Sequence, residues 1–364
     1  MKFFQIITLN DNYYQDFNKR NPVVSNVLAD NQLDELIRDN FGGVNIFTHY
    51  MRKLGYETQL SVSNCVPLQI KWASDHGLSS VVNKKEWIVD IILKQIEMFK
   101  PDILFISDPE RFDSRFIKCL LWKPSLVIGM QVENIPKNST DWKNFDIIIS
   151  NNVHILHHAK KIGARSVELL SSGFPEMIIS PNENVKKNWD VIFAGELLLQ
   201  HKRRCAYLTE VAKMPLGFNG EFSIAYNLPK FQQQFLPAGI TMHNRGSVYG
   251  YDMYRTFKRG RIVLSFDYGE GDNRTVFEVT GIGSFLLTES HKRIQQLFKP
   301  GIEVETFQDM TELNEKIYYY LSHPEKREAI ARKGHKRCLQ EHSMLKRSEM
   351  LVSIIHKYLG IIEK

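Results

Sequence analysis

Short apolar runs alternate with amphipathic helical patterns along the chain, and this alternation constrains the fold more than any single motif. DILFIS (102–107) and FDIIIS (145–150) each contain an uninterrupted apolar run, which is typical of strands covered on both faces. Trp87–Phe99 has the apolar spacing of a helix and is closed by Lys100 and Pro101. Strands separated by helices of this length predict parallel βαβ units and a Rossmann-like α/β layer.

The alternation occurs twice, which predicts two domains in a chain of 364 residues. The first Rossmann-like domain is predicted over 1–173 and the second over 188–342, with Gly173–Lys187 as the linker. The segment 343–364 is predicted to form a helix that crosses back to the first domain. Ligands of such sheets bind at the carboxyl ends of the strands, so a central cleft between the two domains is the expected active site.

The element boundaries predicted from the apolar pattern are as follows. The helices include Gly42–Leu54, Trp87–Phe99, Ser114–Leu121, Val153–Ile162, Cys205–Lys213, Tyr251–Lys258, Arg274–Thr280, Met310–Leu321, Pro324–Glu341 and Ser343–Leu359. The strands include Lys2–Leu9, Glu57–Ser63, Ile103–Ser107, Leu126–Met130, Phe145–Ser150, Ser166–Leu170, Trp189–Ala194, Ile262–Phe266, Phe285–Thr288 and Val304–Phe307.

Composition narrows the class of protein. Hydrophobic residues make up 43% and charged residues 24%, as in ordinary globular proteins, and no run of eighteen apolar residues suggests a spanning helix. The opening MKFFQIITLN lacks the pattern of a signal peptide, and the four cysteines form no CxxC pair, so we expect a cytoplasmic protein without a zinc or redox site. The net charge of +6 suits a phosphate-bearing ligand or an anionic membrane surface, whereas no recognition motif for nucleic acid accompanies it.

The segment GEGDNRTVFEVTG (269–281) carries the clearest functional pattern. It follows the predicted strand RIVLSFD and opens a helix, and its first two glycines would let the backbone turn sharply. Free N–H groups at Arg274–Phe277 and the helix dipole would bind a diphosphate. Glu278, one turn further, would accept hydrogen bonds from ribose hydroxyls, and Glu270 would point into the cleft. A plain strand–turn–helix with solvated acids is the alternative reading.

Glu270 and Glu278 are separated by seven residues, and this pair resembles the signature of retaining glycosyltransferases of the GT-B fold. The wider segment 249–289 is similar to the C-terminal domain of CgeB-like, family-4-like glycosyltransferases (glycosyl transferases group 1), as are KPGIEVETFQDMTELNEKIYYYLSHPEKREAIARKG and the ending HSMLKRSEMLVSII. The resemblance covers about Val191–Ile355, and FGGVNIFTHYMRKLGYE in the first half matches more loosely.

The resemblance implies a fold and a set of roles. It implies α/β architecture with two Rossmann-like domains facing a central cleft, the first on the acceptor side and the second binding a nucleotide sugar. Glu278 would bind the donor ribose, and Glu270 would contact the donor sugar. Arg274, Thr275 and Val276 would hold the diphosphate. The reaction implied is transfer of a sugar to a saccharide, lipid-linked or protein-linked glycan acceptor, as in bacterial cell-envelope polysaccharide synthesis.

A second basic constellation, GELLLQHKRR (195–204), follows the first strand of the second domain. In GT-B enzymes the corresponding loop presents basic side chains to the donor phosphates, and arginine offers a planar fork for phosphate oxygens. Arg204 is the preferred phosphate ligand, with His201 on the same helical face and Gly195 at the strand end. A solvated basic helix face is the alternative.

The first domain offers weaker candidates. Gly43, in the loop NFGGVN, could approach the donor, and His49 lies on the helix that follows. Asp11 stands just beyond the first strand, where a general base would lie if the enzyme inverts the anomeric configuration. The excursion over Asp11–Asn40 contains Tyr13, Tyr14 and Phe17, whose rings would suit stacking on an acceptor sugar or simply cover the core.

The expected mechanism is electrostatic. As the anomeric bond breaks, the helix start at Arg274 and the side chain of Arg204 would stabilise negative charge on the leaving diphosphate, and carboxylates would stabilise positive charge on the sugar. We therefore expect no obligatory metal ion and no cofactor beyond the nucleotide-sugar substrate. A GT-B sugar epimerase and a non-catalytic nucleotide-sugar-binding or assembly protein remain alternatives. Peripheral contact with the inner membrane face is compatible with the charge.

Overall fold

The computed structural model describes residues 1–21, 29–39, 46–83, 86–132, 141–180, 184–197, 201–214, 222–227, 238–266 and 271–361. The chain divides into two compact units. The first contains Met1–Gly173 together with the last helix, and the second contains most of Phe174–Ser343. No helix within the described ranges is both long and apolar enough to cross a membrane.

The first unit is built on a parallel sheet of six strands in the order β2-β1-β3-β4-β5-β6. Its strands are β1 Lys2–Ile7, β2 Glu57–Val62, β3 Ile103–Ile106, β4 Leu126–Met130, β5 Ile147–Ser150 and β6 Ser166–Leu169. Its helices are α1 Asp11–Arg20, α2 Ala29–Asp39, α3 Thr48–Lys53, α4 Val66–Asp75, α5 Trp87–Phe99, α6 Ser114–Lys118, α7 Val153–Lys161 and, at the end of the chain, α15 Met344–Leu359. Strands β3, β4 and β5 are buried along their whole length, as their continuous apolar sequences predict.

The second unit has a parallel sheet of five strands in the order β11-β10-β9-β7-β8. Its strands are β7 Trp189–Glu196, β8 Phe222–Asn227, β9 Gly260–Ser265, β10 Leu286–Glu289 and β11 Glu305–Phe307. Its helices are α8 Lys202–Lys213, α9 Ala238–Met242, α10 Gly250–Arg259, α11 Arg274–Gly281, α12 Lys292–Leu297, α13 Met310–Ser322 and α14 Pro324–Glu341. The predicted α/β class with two parallel-sheet units is confirmed.

Helix α15 is part of the first unit's core although it is the last element of the chain. Leu351 and Ile355 are fully buried in the cluster that contains Phe3 and Phe105. The guanidinium of Arg347 donates to the carbonyl of Ser172 at 3.0 Å. The first sheet is therefore covered on one face by a helix that follows the whole second unit in sequence.

Two predicted segments differ from the structure. The helix predicted over Gly42–Leu54 begins at Thr48, because the backbone N–H groups of Phe47 and Thr48 donate to the side-chain carbonyl of Gln5 on β1, at 2.9 and 3.3 Å. Residues 40–45 lie outside the described part. The segment predicted as a linker has a 3-10 turn at Glu176–Ile178, and Phe174 and Ile178 in it are buried in the second unit's core. Its apolar residues are too few to show a period, so sequence reasoning could not recognise them as core.

Candidate active site

The carboxyl ends of three neighbouring strands meet at one edge of the second sheet. Strand β9 pairs with β7 on one side and with β10 on the other, all in parallel. The strands end at Glu196, Ser265 and Glu289. Ligands of open parallel sheets bind at this edge, so the side chains that follow these three strands form the candidate site.

Helix α11 is anchored to the end of β9 by Asn273, its N-cap residue. The Asn273 side-chain oxygen accepts from the backbone N–H of Thr275 at 3.1 Å. Its amide nitrogen donates to the Ser265 hydroxyl and to the Phe266 carbonyl, both at 2.8 Å. Sequence reasoning missed this residue, although an asparagine directly before a predicted helix is a preferred cap. Asn273 therefore determines where the helix N-terminus points.

The expectation of free N–H groups at this helix start is wrong for two residues. Thr275 N–H donates to the Asn273 side chain, and Val276 N–H donates to the Asn273 carbonyl at 3.0 Å. The Val276 side chain is buried in the apolar core. A phosphate would therefore compete with Asn273 for these donors, so the capped end binds an anion less strongly than an uncapped helix would.

Glu278 and Arg274 lie one helical turn apart on α11, and the Arg274 Nε is 3.5 Å from the Glu278 Oε1. The Glu278 side chain is 6% exposed, whereas that of Arg274 is 44% exposed. Burial raises the pKa of the Glu278 carboxyl, and the charge of Arg274 opposes part of this rise. A buried carboxylate with one charged partner favours additional hydrogen-bond donors, and the two hydroxyls of a ribose are donors of the required kind.

A glycine at the end of α11 determines how closely the helix packs. A side-chain carbon on Gly281 would overlap the ring of Phe174, which is fully buried. The helix also contacts α14, where a side-chain carbon on Gly334 would overlap the Glu303 carbonyl and lie 3.6 Å from Thr280. The two glycines thus allow close packing around the C-terminal half of α11, which holds Glu278 in place.

The end of β7 leads to a second basic pair, formed by Arg204 and His201. Arg204 is 4% exposed, and its guanidinium carbon lies 5.8 Å from the centroid of the Phe193 ring on β7. The Arg204 Nη1 lies 3.2 Å from the His201 Nδ1. Because arginine only donates, this imidazole nitrogen accepts, and His201 is the neutral Nε2–H tautomer. Burial, followed by the charge of Arg204, lowers the pKa of His201.

The remaining predicted donor-site residue of this edge is Gly195, which lies in β7 opposite Tyr226 of β8. Sequence reasoning missed an ion pair at the same edge: Arg203 pairs with Glu289 at the end of β10, and the guanidinium of Arg203 lies 5.8 Å from the centroid of the Tyr207 ring. Glu289 directly follows the predicted strand Phe285–Thr288, and an acid at this position was the sequence feature that could have indicated the pair. This pair neutralises one of the two adjacent arginines.

Two predicted candidates lie in the first unit. Asp11 begins α1, is exposed, and accepts from the Asn64 side-chain amide at 3.1 Å. His49 lies on α3, is half-buried and packs edge-on against Tyr50 at 5.1 Å between ring centroids. Gly43 and Glu270 lie outside the described residues, so the proposed acid pair is described only at Glu278.

The expectation that aromatic residues of α1 stack on an acceptor sugar is wrong for Tyr13 and Phe17. Tyr13 is 0% and Phe17 is 1% exposed, so neither ring can present a face to a ligand. Tyr14 is half-buried, and burial raises the pKa of its hydroxyl to about 12. Tyr13 and Phe17 are four residues apart and so lie on the same, inward face of α1, which favours the core-covering alternative.

The described groups at the edge of the second sheet can stabilise a phosphate leaving group and bind a polyol. Arg204 supplies a permanent positive charge and His201 an N–H donor, and the helix that follows the neighbouring strand begins with Arg274. Such groups stabilise negative charge on a phosphate leaving group. The buried Glu278 supplies an acceptor for a polyol. Together they suit a ligand that combines a diphosphate with a ribose.

Comparison with known proteins agrees with this geometry. Residues 204–353 match the family model described as glycosyl transferase-like. No curated protein matches the sequence. The structure is similar to a glycosyltransferase from Rickettsia africae, with a TM-score of 0.60, 13% identity and 98% of each chain covered.

Two further solved structures are similar over the whole chain. The Anabaena protein Alr3699/HepE in complex with UDP and glucose has a TM-score of 0.57 and 11% identity, and 98% of this chain and 100% of that chain are covered. The sucrose-phosphate synthase of Thermosynechococcus elongatus has a TM-score of 0.59 and 8% identity, with 100% of each chain covered. The chain therefore has the two-unit α/β fold of GT-B glycosyltransferase structures, and its second unit carries the glycosyl transferase-like sequence signature.

Proposed function

We propose that the protein is a glycosyltransferase that moves a sugar from a nucleotide-diphosphate donor to a saccharide or glycoconjugate acceptor. The observation that carries the proposal is the placement of Arg204 with His201 and of Arg274 with Glu278 after two adjacent strands of one parallel sheet. The glycosyl transferase-like match over 204–353 includes all but one of these four residues, since His201 lies just before it. A solved structure of similar fold is a complex with UDP and glucose.

In the proposed mechanism the donor diphosphate lies against Arg204, His201 and the start of α11. The buried Arg204 is held between the Phe193 ring and His201, so little reorganisation is needed when charge grows on the leaving phosphate. Glu278 accepts hydrogen bonds from the ribose hydroxyls, which also relieves the cost of its burial.

Three finer features belong to the same proposal. Retention of the anomeric configuration is supported by the seven-residue spacing of Glu270 and Glu278. Metal-independent transfer is supported by the positive groups at the diphosphate position, which can neutralise the leaving group. Roles for Thr275, Val276 and Gly195 in donor binding, and for Asp11 or His49 in catalysis, are kept as proposals.

We also propose a cytoplasmic protein that contacts the inner membrane face while acting on a cell-envelope glycan. Leu121 is 76% and Trp122 is 36% exposed, and Lys118 and Lys123 beside them are exposed. The Trp122 indole N–H donates to the Pro101 carbonyl at 2.8 Å. An exposed indole and leucine among lysines suit the headgroup level of an anionic bilayer.

A nucleotide-sugar panel tests the proposal. UDP-, GDP-, ADP-, CMP- and dTDP-sugars are screened by thermal shift with wild type, Glu278→Ala and the matched control Glu210→Ala, an exposed acid on α8. We expect one base class to raise the melting temperature of wild type and of the control but not of Glu278→Ala. A ligand at 100 times its Kd adds about 2.7 kcal/mol to the unfolding free energy.

Turnover separates the transferase from its rivals. With the donor that binds, we expect release of the nucleoside diphosphate in the presence of EDTA, and proton NMR of the product should show the donor's anomeric configuration. Epimerisation of the donor sugar without transfer would indicate an epimerase. Binding without turnover for any acceptor would indicate a non-catalytic protein, and equal shifts in wild type and Glu278→Ala would refute the site assignment.

A further inference from the structure

The first unit contains a cavity of about 410 Å³ along β2, the edge strand of its sheet. Helices α2, α3 and α4 and one residue of α5 complete its wall. The volume lies in the range of sites for small organic ligands. We call this cavity the edge pocket. It lies beside the sheet, whereas the candidate donor groups belong to the second unit.

The floor of the edge pocket is a closed hydrogen-bonded triangle of three buried polar side chains. The Ser61 hydroxyl donates to the Gln95 carbonyl at 2.7 Å, and the Gln95 amide donates to the Gln69 carbonyl at 3.0 Å. The Gln69 amide donates to the Ser61 hydroxyl at 3.3 Å and to the Val62 carbonyl at 2.8 Å. Since a carboxamide nitrogen has two N–H groups, Gln95 retains a donor for a ligand.

Thr48 gives a second, independent sign of a ligand. It lines the edge pocket and is 3% exposed, yet its hydroxyl has no hydrogen-bond partner among the described residues. Leaving a buried hydroxyl unsatisfied costs about 1–3 kcal/mol. A ligand hydroxyl in the pocket would remove this cost.

The rim of the edge pocket adds an aromatic platform and carboxylates. The Trp72 indole stacks on the His76 imidazole with 4.1 Å between ring centroids and 19° between planes. Because Trp72 lines the pocket, its indole presents an aromatic surface to a ligand there. Asp34 and Asp75 also line the rim and can accept from hydroxyl groups.

The charge of the lining selects the class of ligand. Among the described residues, Asp75 is paired with Lys71, and Asp34 is opposed in the lining by Arg52, which already donates to the Thr58 hydroxyl at 3.2 Å, so the lining has no excess of positive charge. Such a lining does not favour an anion, so phosphates and nucleotides are poor candidates. Amide and hydroxyl groups, carboxylates and an aromatic face together suit an uncharged, hydroxyl-rich ring.

We propose that the edge pocket binds one or two units of a neutral saccharide. The role of the pocket in holding the glycan acceptor rests on the proposed function, whereas the binding of a saccharide does not. The pocket would hold a part of the acceptor chain along β2, the edge strand of the first sheet.

Ligand-observed saturation-transfer NMR on the full chain tests the proposal without any donor. The probes are glucose, galactose, mannose, N-acetylglucosamine, maltose and cellobiose, with glucose 6-phosphate as the anionic comparator. Trp72→Ala removes the platform, and Thr48→Val removes the hydroxyl at nearly constant volume. Trp122→Ala is the matched control, because this indole lies in the same unit and does not line the pocket.

We expect at least one neutral sugar to bind wild type and Trp122→Ala equally. Trp72→Ala should weaken its binding at least tenfold, and Thr48→Val by about fivefold, the loss of one hydrogen bond. No signal from any neutral sugar, equal binding to all variants, or preference for glucose 6-phosphate would each overturn the proposal.

The two proposals fail separately. Trp72→Ala and Thr48→Val should bind the nucleotide as wild type does. A chain that binds sugars in the edge pocket but no nucleotide sugar would refute the proposed function alone. A chain that binds and turns over a nucleotide sugar but fails the saccharide test would refute the edge pocket alone.

Discussion

The Arg274 guanidinium lies 3.5 Å from the Glu278 carboxylate, so the charged partner that this buried acid has among the described residues is itself half-exposed at the helix start. Burial raises the Glu278 pKa more than Arg274 lowers it. An acid whose pKa is raised by folding favours the folded state at low pH and loses that advantage as pH rises through the folded pKa.

Replacing Glu278 by glutamine should therefore stabilise the unliganded protein at neutral pH. The amide keeps the shape of the side chain but carries no charge that burial penalises. We expect a higher melting temperature than wild type at pH 7, with a gap that narrows as pH falls through the raised folded pKa towards 4.5, the ordinary value for glutamate. Calorimetry from pH 4 to 8 checks this, and an equal or lower melting temperature at pH 7 would contradict it.

His201 should produce a pH effect of the opposite sign. Its pKa is lowered by burial and by Arg204, so the folded state binds its proton less readily than the unfolded chain. As pH falls through 6.5, its ordinary value, wild type should lose unfolding free energy relative to His201→Gln. Denaturant titrations at pH 5 and 8 measure the difference. Parallel curves for the two proteins would show that the Arg204–His201 contact does not hold the imidazole neutral.

Arg204→Ala should weaken nucleoside diphosphate binding by ten- to a hundredfold, since charge-assisted hydrogen bonds to a buried arginine contribute about 1.5–3 kcal/mol. Arg204→Lys should recover only part of the loss, because lysine lacks the planar fork that packs on Phe193. Lys213→Ala, an exposed cation at the far end of α8, is the control for net charge. Isothermal titration calorimetry with UDP and GDP measures the Kd of all three variants. Equal weakening in Lys213→Ala would indicate a general charge effect.

Gly281→Ala should destabilise the second unit by about 1–3 kcal/mol, because the added methyl group overlaps the buried Phe174 ring. Gly239→Ala is a sharp control. A side-chain carbon there would lie 3.4 Å from Ala212, an ordinary contact, and alanine favours the helix α9. Thermal unfolding should separate the two variants, and similar melting temperatures would show that Phe174 yields easily.

The exposed pair Leu121 and Trp122 should support binding to anionic vesicles. We expect wild type to co-sediment with phosphatidylglycerol vesicles at low salt and not with phosphatidylcholine, and Leu121→Ser with Trp122→Ala to reduce binding severalfold. Met242→Ser removes an equally exposed apolar side chain from the second unit and serves as the control. If the double variant binds vesicles as wild type does, Leu121 and Trp122 do not form the membrane contact.

The sequence predicted several helices of the second unit well, and a proline at the first helical position marks the start of one of them. Pro324–Glu341 was predicted with both boundaries, and α11 to within one residue. Sequence reasoning missed α4 in the first unit and β8 in the second, because these short segments carry a weak apolar pattern. It also missed Asn273 as an anchor and the Arg203–Glu289 pair, since partners distant in sequence leave no local pattern.

By itself the sequence determined the alternation of strands and helices, the parallel sheets that follow from it, and the helix start that carries Arg274 and Glu278. These depend on local spacing, which a chain carries into any environment. Only the tertiary structure decided that Asn273 accepts from two of the N–H groups expected to bind phosphate. It also decided that Arg204 donates to a neutral His201 and that Glu278 is buried. Burial and hydrogen-bond competition depend on which distant segments meet, and these same effects shift the pKa values on which the proposed chemistry relies.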